Sequence, residues 1–283
     1  MPSRTTPTQR QKRLGAEVRK LRVGAGMSAE YAAGLLGVDR GKISNFESGA
    51  RAIAPDRLRT LAIHCECTDE RYVEALVRLT EPAQGNWWHE YRGRVSPGLQ
   101  DIAELEWHAT RIQTIQTVHL PGLLQTEDYA RSVFSSGLPP LSRLEVELRV
   151  AHRIGRQRVL TREQPVDYVG YVHEAALRMR FGGREATRTQ LNALIEAGER
   201  DHITIRIVPV ERGSFPGAGH ALLYAEGVVP QLDTAQLDSA HGPDFMHTEP
   251  QLDKYRAHLA WMDEACLTPA VSRDVIHSIV RDL

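Results

Sequence analysis

Arg40, Lys42, Ser44 and Asn45 crowd into six residues and carry the donors and acceptors that suit base edges in a DNA major groove. Arginine and lysine match guanine O6 and N7, while asparagine matches adenine N6 and N7 or a phosphate. Ser28, Ser48 and Arg51 flank them with groups suited to backbone phosphates, which set register without reading sequence. Such chemistry needs a rigid element that presents these side chains outward together.

The stretch from Ser28 to Ser48, SAEYAAGLLGVDRGKISNFES, predicts that element as two short helices joined by a tight turn. Ala33, Gly37 and Ile43 stand four and then six residues apart. A helix-turn-helix needs this spacing: a small residue where the helices cross, a glycine in the turn, and a branched apolar residue facing the core. Tyr31, Ala32, Leu35, Leu36, Val38 and Phe46 are expected on the same buried side. Asp39 is placed to cap the second helix, which is expected over Arg40 to Ser48. A homodimer would set two such helices ~34 Å apart on roughly palindromic double-stranded DNA.

Leu14, Val18 and Leu21 predict a first helix from Gln9 to Ala25, with Arg19, Lys20 and Arg22 as its solvated face and Gly26 at its end. Pro55 opens a fourth helix and Thr68 caps a fifth. The start, Met1 to Thr8, reads as disordered; with Arg4, Arg10, Lys12 and Arg13 it is either an arm along DNA backbone or a floppy end. Residues 1–80 thus form an all-α helix-turn-helix bundle. Residues 81–98 mix helix breakers with Trp87, Trp88 and Tyr91 and read as a linker, its aromatics serving core or interdomain packing.

Residues 99–283 read as a mixed α/β domain with a small sheet, which makes the chain α+β. Strands are expected at 166–173, 203–210 and 220–226, with a weaker candidate at 228–237. Residues 99–120 begin helical and end extended; further helices are expected at 142–160, 184–200, 250–266 and 269–282. The 142–160 helix is amphipathic, with several arginines on its wet side.

Charge is segregated along the 283 residues. Met1 to Ile63 holds 12 Lys+Arg against 5 Asp+Glu, a net of +7; the remainder holds 23 against 31, a net of -8. A basic head on an acidic body fits a nucleic-acid module carried by a domain with another task. Three cysteines make no disulfide framework, the N-terminus resembles no secretory signal, and no apolar run nears the ~20 residues of a membrane span. A cytoplasmic, nucleoid-associated protein is expected.

The second domain offers little for catalysis. GSFPGAGH, residues 213–220, is glycine-rich but lacks a P-loop lysine and reads as a mobile hairpin connection between strands, or less readily as a flap. His64, Cys65 and Cys67 point different ways on a helix and read as core cysteines beside an ordinary histidine. His173 and Glu174 form either an acid-base pair or a helix-start carboxylate beside a surface histidine. Neither a metal, a cofactor nor an enzymatic activity is expected.

The segment from Leu14 to Arg51 resembles the XRE-type, lambda-repressor-like helix-turn-helix. Joined to WWHEYR, LPGLLQTEDYAR and HEAALRMRFGG, it is similar to the actinobacterial WhiJ-like regulators abundant in Streptomyces, whose C-terminal domain has no assigned activity. The resemblance implies a transcriptional regulator and a small partner protein encoded nearby, in an antitoxin-like pair. It also implies two departures: Ala29 stands where such heads carry a glutamine that braces the recognition helix, and Gly41 replaces a side-chain donor. Base contacts then fall to Arg40, Lys42 and Asn45. The C-terminal domain is expected to regulate, either as a protein-interaction module or as a ligand sensor with a pocket between the sheet and the 142–160 helix.

Overall fold

The computed structural model describes residues 6–81, 86–217, 219–239 and 241–283. The expected N-terminal arm, with Arg4, falls largely outside them. The chain divides into two compact units, 1–86 and 87–283.

The first unit holds α1 (Gln9–Gly24), α2 (Ala29–Leu35), α3 (Arg40–Glu47), α4 (Pro55–His64) and α5 (Glu70–Thr80). Thr8 and Gln11 close a capping box at the start of α1, and Gly26 ends that helix at φ +68°, a conformation only glycine adopts freely. Leu14, Val18, Ala32, Ala33, Ile43, Phe46, Leu58, Leu61 and Leu76 form the core. Burial of each large apolar side chain contributes about 1.5–3 kcal/mol.

Four expectations need correction here. Tyr31 is exposed, because Ala32, Ala33 and Leu36 define the inward face of α2 and Tyr31 precedes that face by one residue's rotation. Asp69, rather than Thr68, caps α5, accepting the Tyr72 amide at 2.9 Å. Arg22 is no solvated cation: its side chain is 12% exposed and it grips the Glu47 carboxylate. Nor are two of the arm's cations free for DNA. Arg13 is buried against Glu17 at 3.2 Å, and Arg10 donates to the Arg78 carbonyl at 2.6 Å.

The second unit begins with a 3-10 helix, Trp87–Tyr91, so residues 87–98 belong to it rather than to a linker. Trp88 is 2% exposed and packs edge-on to Trp107; Trp87 packs against the ring of His152. The elements that follow are α6 (Pro97–His108), β1 (Arg111–Gln116), α7 (Glu127–Ser135), α8 (Arg143–Arg156), β2 (Asp167–His173), α9 (Glu174–Arg178), α10 (Gly183–Ala197), β3 (Ile203–Val208), β4 (Leu222–Glu226), β5 (Thr234–Ser239), β6 (Gly242–Met246), α11 (Glu249–Ala265) and α12 (Pro269–Asp282).

One six-stranded sheet runs in the order β3-β2-β1-β4-β5-β6. β1, β2 and β3 are parallel, joined by helical crossovers, whereas β4, β5 and β6 form an antiparallel extension on β1. Ile112, Tyr168, Ile207 and Leu223 pack one face with α10 and α12; Ile115, Tyr171 and Tyr224 pack the other with α11. The α+β architecture is as expected, with a larger sheet. The glycine-rich 213–220 loop is not a hairpin, since β2 and β1 lie between the strands it joins. Cys65 and Cys67 are half-exposed at the end of α4, not core residues.

Candidate nucleic-acid interface

α3 is held rigid from both ends. The Asp39 carboxylate accepts the Lys42 amide at 2.8 Å, and that bond holds its pKa below the usual carboxylate range. The charge it retains opposes the positive end of the helix dipole. Ile43 and Phe46 anchor the inner side. At the C-terminal end two glycines let α1 press against the backbone of α3. A β-carbon on Gly15 would lie 2.5 Å from the Glu47 carbonyl oxygen, and one on Gly49 would lie 2.7 Å from the Gln11 backbone. The Arg22–Glu47 pair, at 2.5 and 3.1 Å, ties the same end to α1.

The outward side of α3 is then dictated by its period. Arg40, Gly41, Ser44 and Ser48 are exposed along one stripe, opposite Ile43 and Phe46. Asn45 borders that stripe, half-buried, while Lys42 sits on the flank nearer Asp39, 3.3 Å from its carboxylate. The Arg40 side chain is 72% exposed and its nearest acid, Glu30, lies at 3.9 Å, a pairing worth little in water. Two of the flanking serines have local duties: Ser28 caps α2 by accepting the Tyr31 amide at 3.1 Å, and Ser48 donates to the Asn45 carbonyl at 3.2 Å. Arg51 is exposed beyond the helix.

This face belongs to a recognised module: a helix-turn-helix domain matches residues 13–76, and a domain of unknown function, DUF5753, matches residues 99–278. The chain belongs to the DUF5753 family. The helix-turn-helix match makes the first unit that of a DNA-binding regulator. No curated protein and no solved structure matches the chain.

Within the DUF5753 unit, His173 and Glu174 are occupied in local structure. The His173 ring nitrogen accepts the Ala175 amide at 3.2 Å; Glu174 pairs with Arg178 at 2.7 Å and accepts the Val210 amide at 3.2 Å. Among the described residues no group of three or more His, Cys, Asp or Glu is placed to hold a metal, and no helix is long and apolar enough to cross a membrane.

The charged residues of the DUF5753 unit that sequence reasoning missed are on α8. Arg156, expected on a wet face, is 7% exposed and forms a bidentate pair with Glu106 of α6 at 2.8 and 2.6 Å. Arg153 lines a cavity between α8 and the sheet, where a ligand pocket was expected. His152 is 1% exposed between Trp87 and Tyr91; burial, with help from Arg156 and Arg153, pushes its pKa down to about 3. Arginines at 149, 153 and 156 share a helical spacing, and that was the available signal. It does not separate a wet stripe from a buried one.

Proposed function

We propose that this protein is a sequence-specific transcriptional regulator that binds double-stranded DNA as a homodimer through the outward stripe of α3 and is controlled through its DUF5753 domain. The observation that carries the reading is the capped, glycine-seated α3 with Arg40 left exposed and loosely paired. Arg40 and Lys42 seek guanine O6 and N7, and Asn45 seeks adenine or a phosphate. Ser28, Ser48 and Arg51 rest on backbone phosphates; the Ser28 hydroxyl only accepts and keeps its proton for a phosphate oxygen, whereas Ser48 turns its hydroxyl from the Asn45 carbonyl to donate there. Gly41 adds no donor but allows close backbone approach. The reading contains no catalytic step and no cofactor, and it places the protein in the cytoplasm on the nucleoid.

The finer reading adds a WhiJ-like regulator with a small partner protein encoded nearby. The second unit, residues 87–283, holds 21 Lys+Arg against 26 Asp+Glu, and this net of -5 favours a basic or amphipathic partner. Genomic footprinting with and without the adjacent small gene tests both levels. The expected result is a roughly palindromic footprint whose occupancy responds to that gene. In vitro, affinity should fall steeply with added salt, as counterions are released from each contacted phosphate. Affinity indifferent to salt would remove the DNA reading.

A further inference from the structure

The cavity beside α8 has a volume of about 210 Å³, room for about seven waters at ~30 Å³ each. Its walls come from α6, α8, the turn Gly122–Leu124 and strands β1, β2, β4 and β5. We propose that it binds a small amphipathic monocarboxylic acid, with the carboxylate on Arg153 beside Arg156 and the hydrocarbon part on the cavity's leucines. Neither of the domain matches assigns a ligand to this place.

Arg153 is the reason for an anion. Its guanidinium lines the cavity and donates one hydrogen bond, to the neutral Gln125 side chain at 2.6 Å. Its Nε is buried without a partner, and among the described residues no carboxylate lies within ion-pair distance. The ring of Phe134, 4.6 Å from its central carbon, is its other compensation. Burial and the neighbouring Arg156 push its pKa down to about 9, so it remains cationic at neutral pH. A half-buried charge this poorly matched, with its Nε enclosed, is costly until an anion arrives. The two guanidiniums also converge: a β-carbon on Gly122 would lie 3.4 Å from Arg153 Nη1 and 3.5 Å from Arg156 Nη2.

The rest of the lining narrows the anion. Arg156 is already neutralised by Glu106, and Asp238, exposed and bonded to Gln236 at 2.9 Å, contributes a second carboxylate. A dianion such as phosphate would meet both acids, whereas a monoanion answers the single charge on Arg153. Leu99, Ile102, Leu123 and Leu223 supply apolar wall for a hydrocarbon part. The hydroxyls of Thr114 and Tyr168 bond each other at 2.7 Å, which uses one of their two protons and leaves the other for an acceptor in the cavity.

The test uses the full chain without DNA and a panel from butyrate to decanoate together with benzoate, read by saturation-transfer NMR and thermal shift. At least one acid should saturate, while its amide and inorganic phosphate do not. Arg153→Gln should weaken that acid roughly tenfold or more, the loss of a hydrogen-bonded charge. Asp238→Asn, at an exposed position, should tighten it; a gain in affinity cannot come from a damaged fold. Failure of every acid, equal binding of the amide, preference for phosphate, or indifference to both substitutions would each overturn the proposal. Any coupling of this site to operator occupancy rests on the regulator reading, but the binding measured here does not, so the two fail separately.

Discussion

Arg40 and Arg156 are the same residue in opposite physical settings. Arg40 has 72% of its side chain in solvent and its acid partner at 3.9 Å; Arg156 is 7% exposed, with both oxygens of a 1% exposed Glu106 at hydrogen-bond distance. In water the first pair contributes about 0–1 kcal/mol, so Arg40 keeps its donors for something outside the chain. The second pair has already lost its water, and its geometry is committed to the fold. The difference teaches that a positive charge serves recognition only where the fold leaves it hydrated and unclaimed. Arg153 lies between the two: half-buried with its Nε enclosed, and without an acid at ion-pair distance among the described residues.

That contrast can be broken most forcefully at Glu106. Glu106→Gln leaves Arg156 buried without a counter-charge and should cost about 3–5 kcal/mol, measured by urea unfolding. A loss below 1 kcal/mol would mean the pair behaves as a surface one. Next comes His152, whose pKa falls from 6.5 to about 3 on folding. A folded form that binds its proton less readily is fully stabilised above pH 6.5 and loses that contribution as pH falls toward about 3. His152→Phe should therefore flatten the acid limb of urea midpoint against pH; parallel limbs would show that His152 is not the group responsible.

On the hydrated side of the comparison, effects should appear in binding more than in folding. Arg40→Ala should cost about 1–3 kcal/mol of operator affinity and relax one base position, while Arg51→Ala weakens all sequences alike and lowers the salt slope by ~1. Unchanged base preference in Arg40→Ala would move the reading face elsewhere. The smallest effect is expected at Asp39→Ala, which removes the α3 cap and about 1 kcal/mol of stability, seen as a lower unfolding midpoint of the first unit.

Local signals were legible in the chain. Asp39 before Arg40, the glycines at 26 and 37, and the apolar spacing of Ile43 and Phe46 each act within a few residues, so the helix-turn-helix could be read directly. The strands at 167–173 and 203–208 announced themselves by their β-branched and aromatic content. β6 did not, because GPDFM carries a glycine and a proline that argue against a strand, and an edge position is where a sheet tolerates them. Trp87 to Tyr91 looked like a linker because nearby breakers outweighed the aromatics. Their packing partners, Trp107 and His152, lie far along the chain.

By itself the sequence determined where helices start, which face of each is apolar, and that a cationic head precedes an acidic body. Propensity, capping and period depend on neighbours a few residues away, and these are written in order along the chain. Only the tertiary structure decided which arginines keep their water: Arg22 meets Glu47, Arg156 meets Glu106, and Arg153 has no acid within ion-pair distance among the described residues. The fate of a charge depends on what folding brings within ion-pair reach across tens of residues, and no local pattern encodes that meeting.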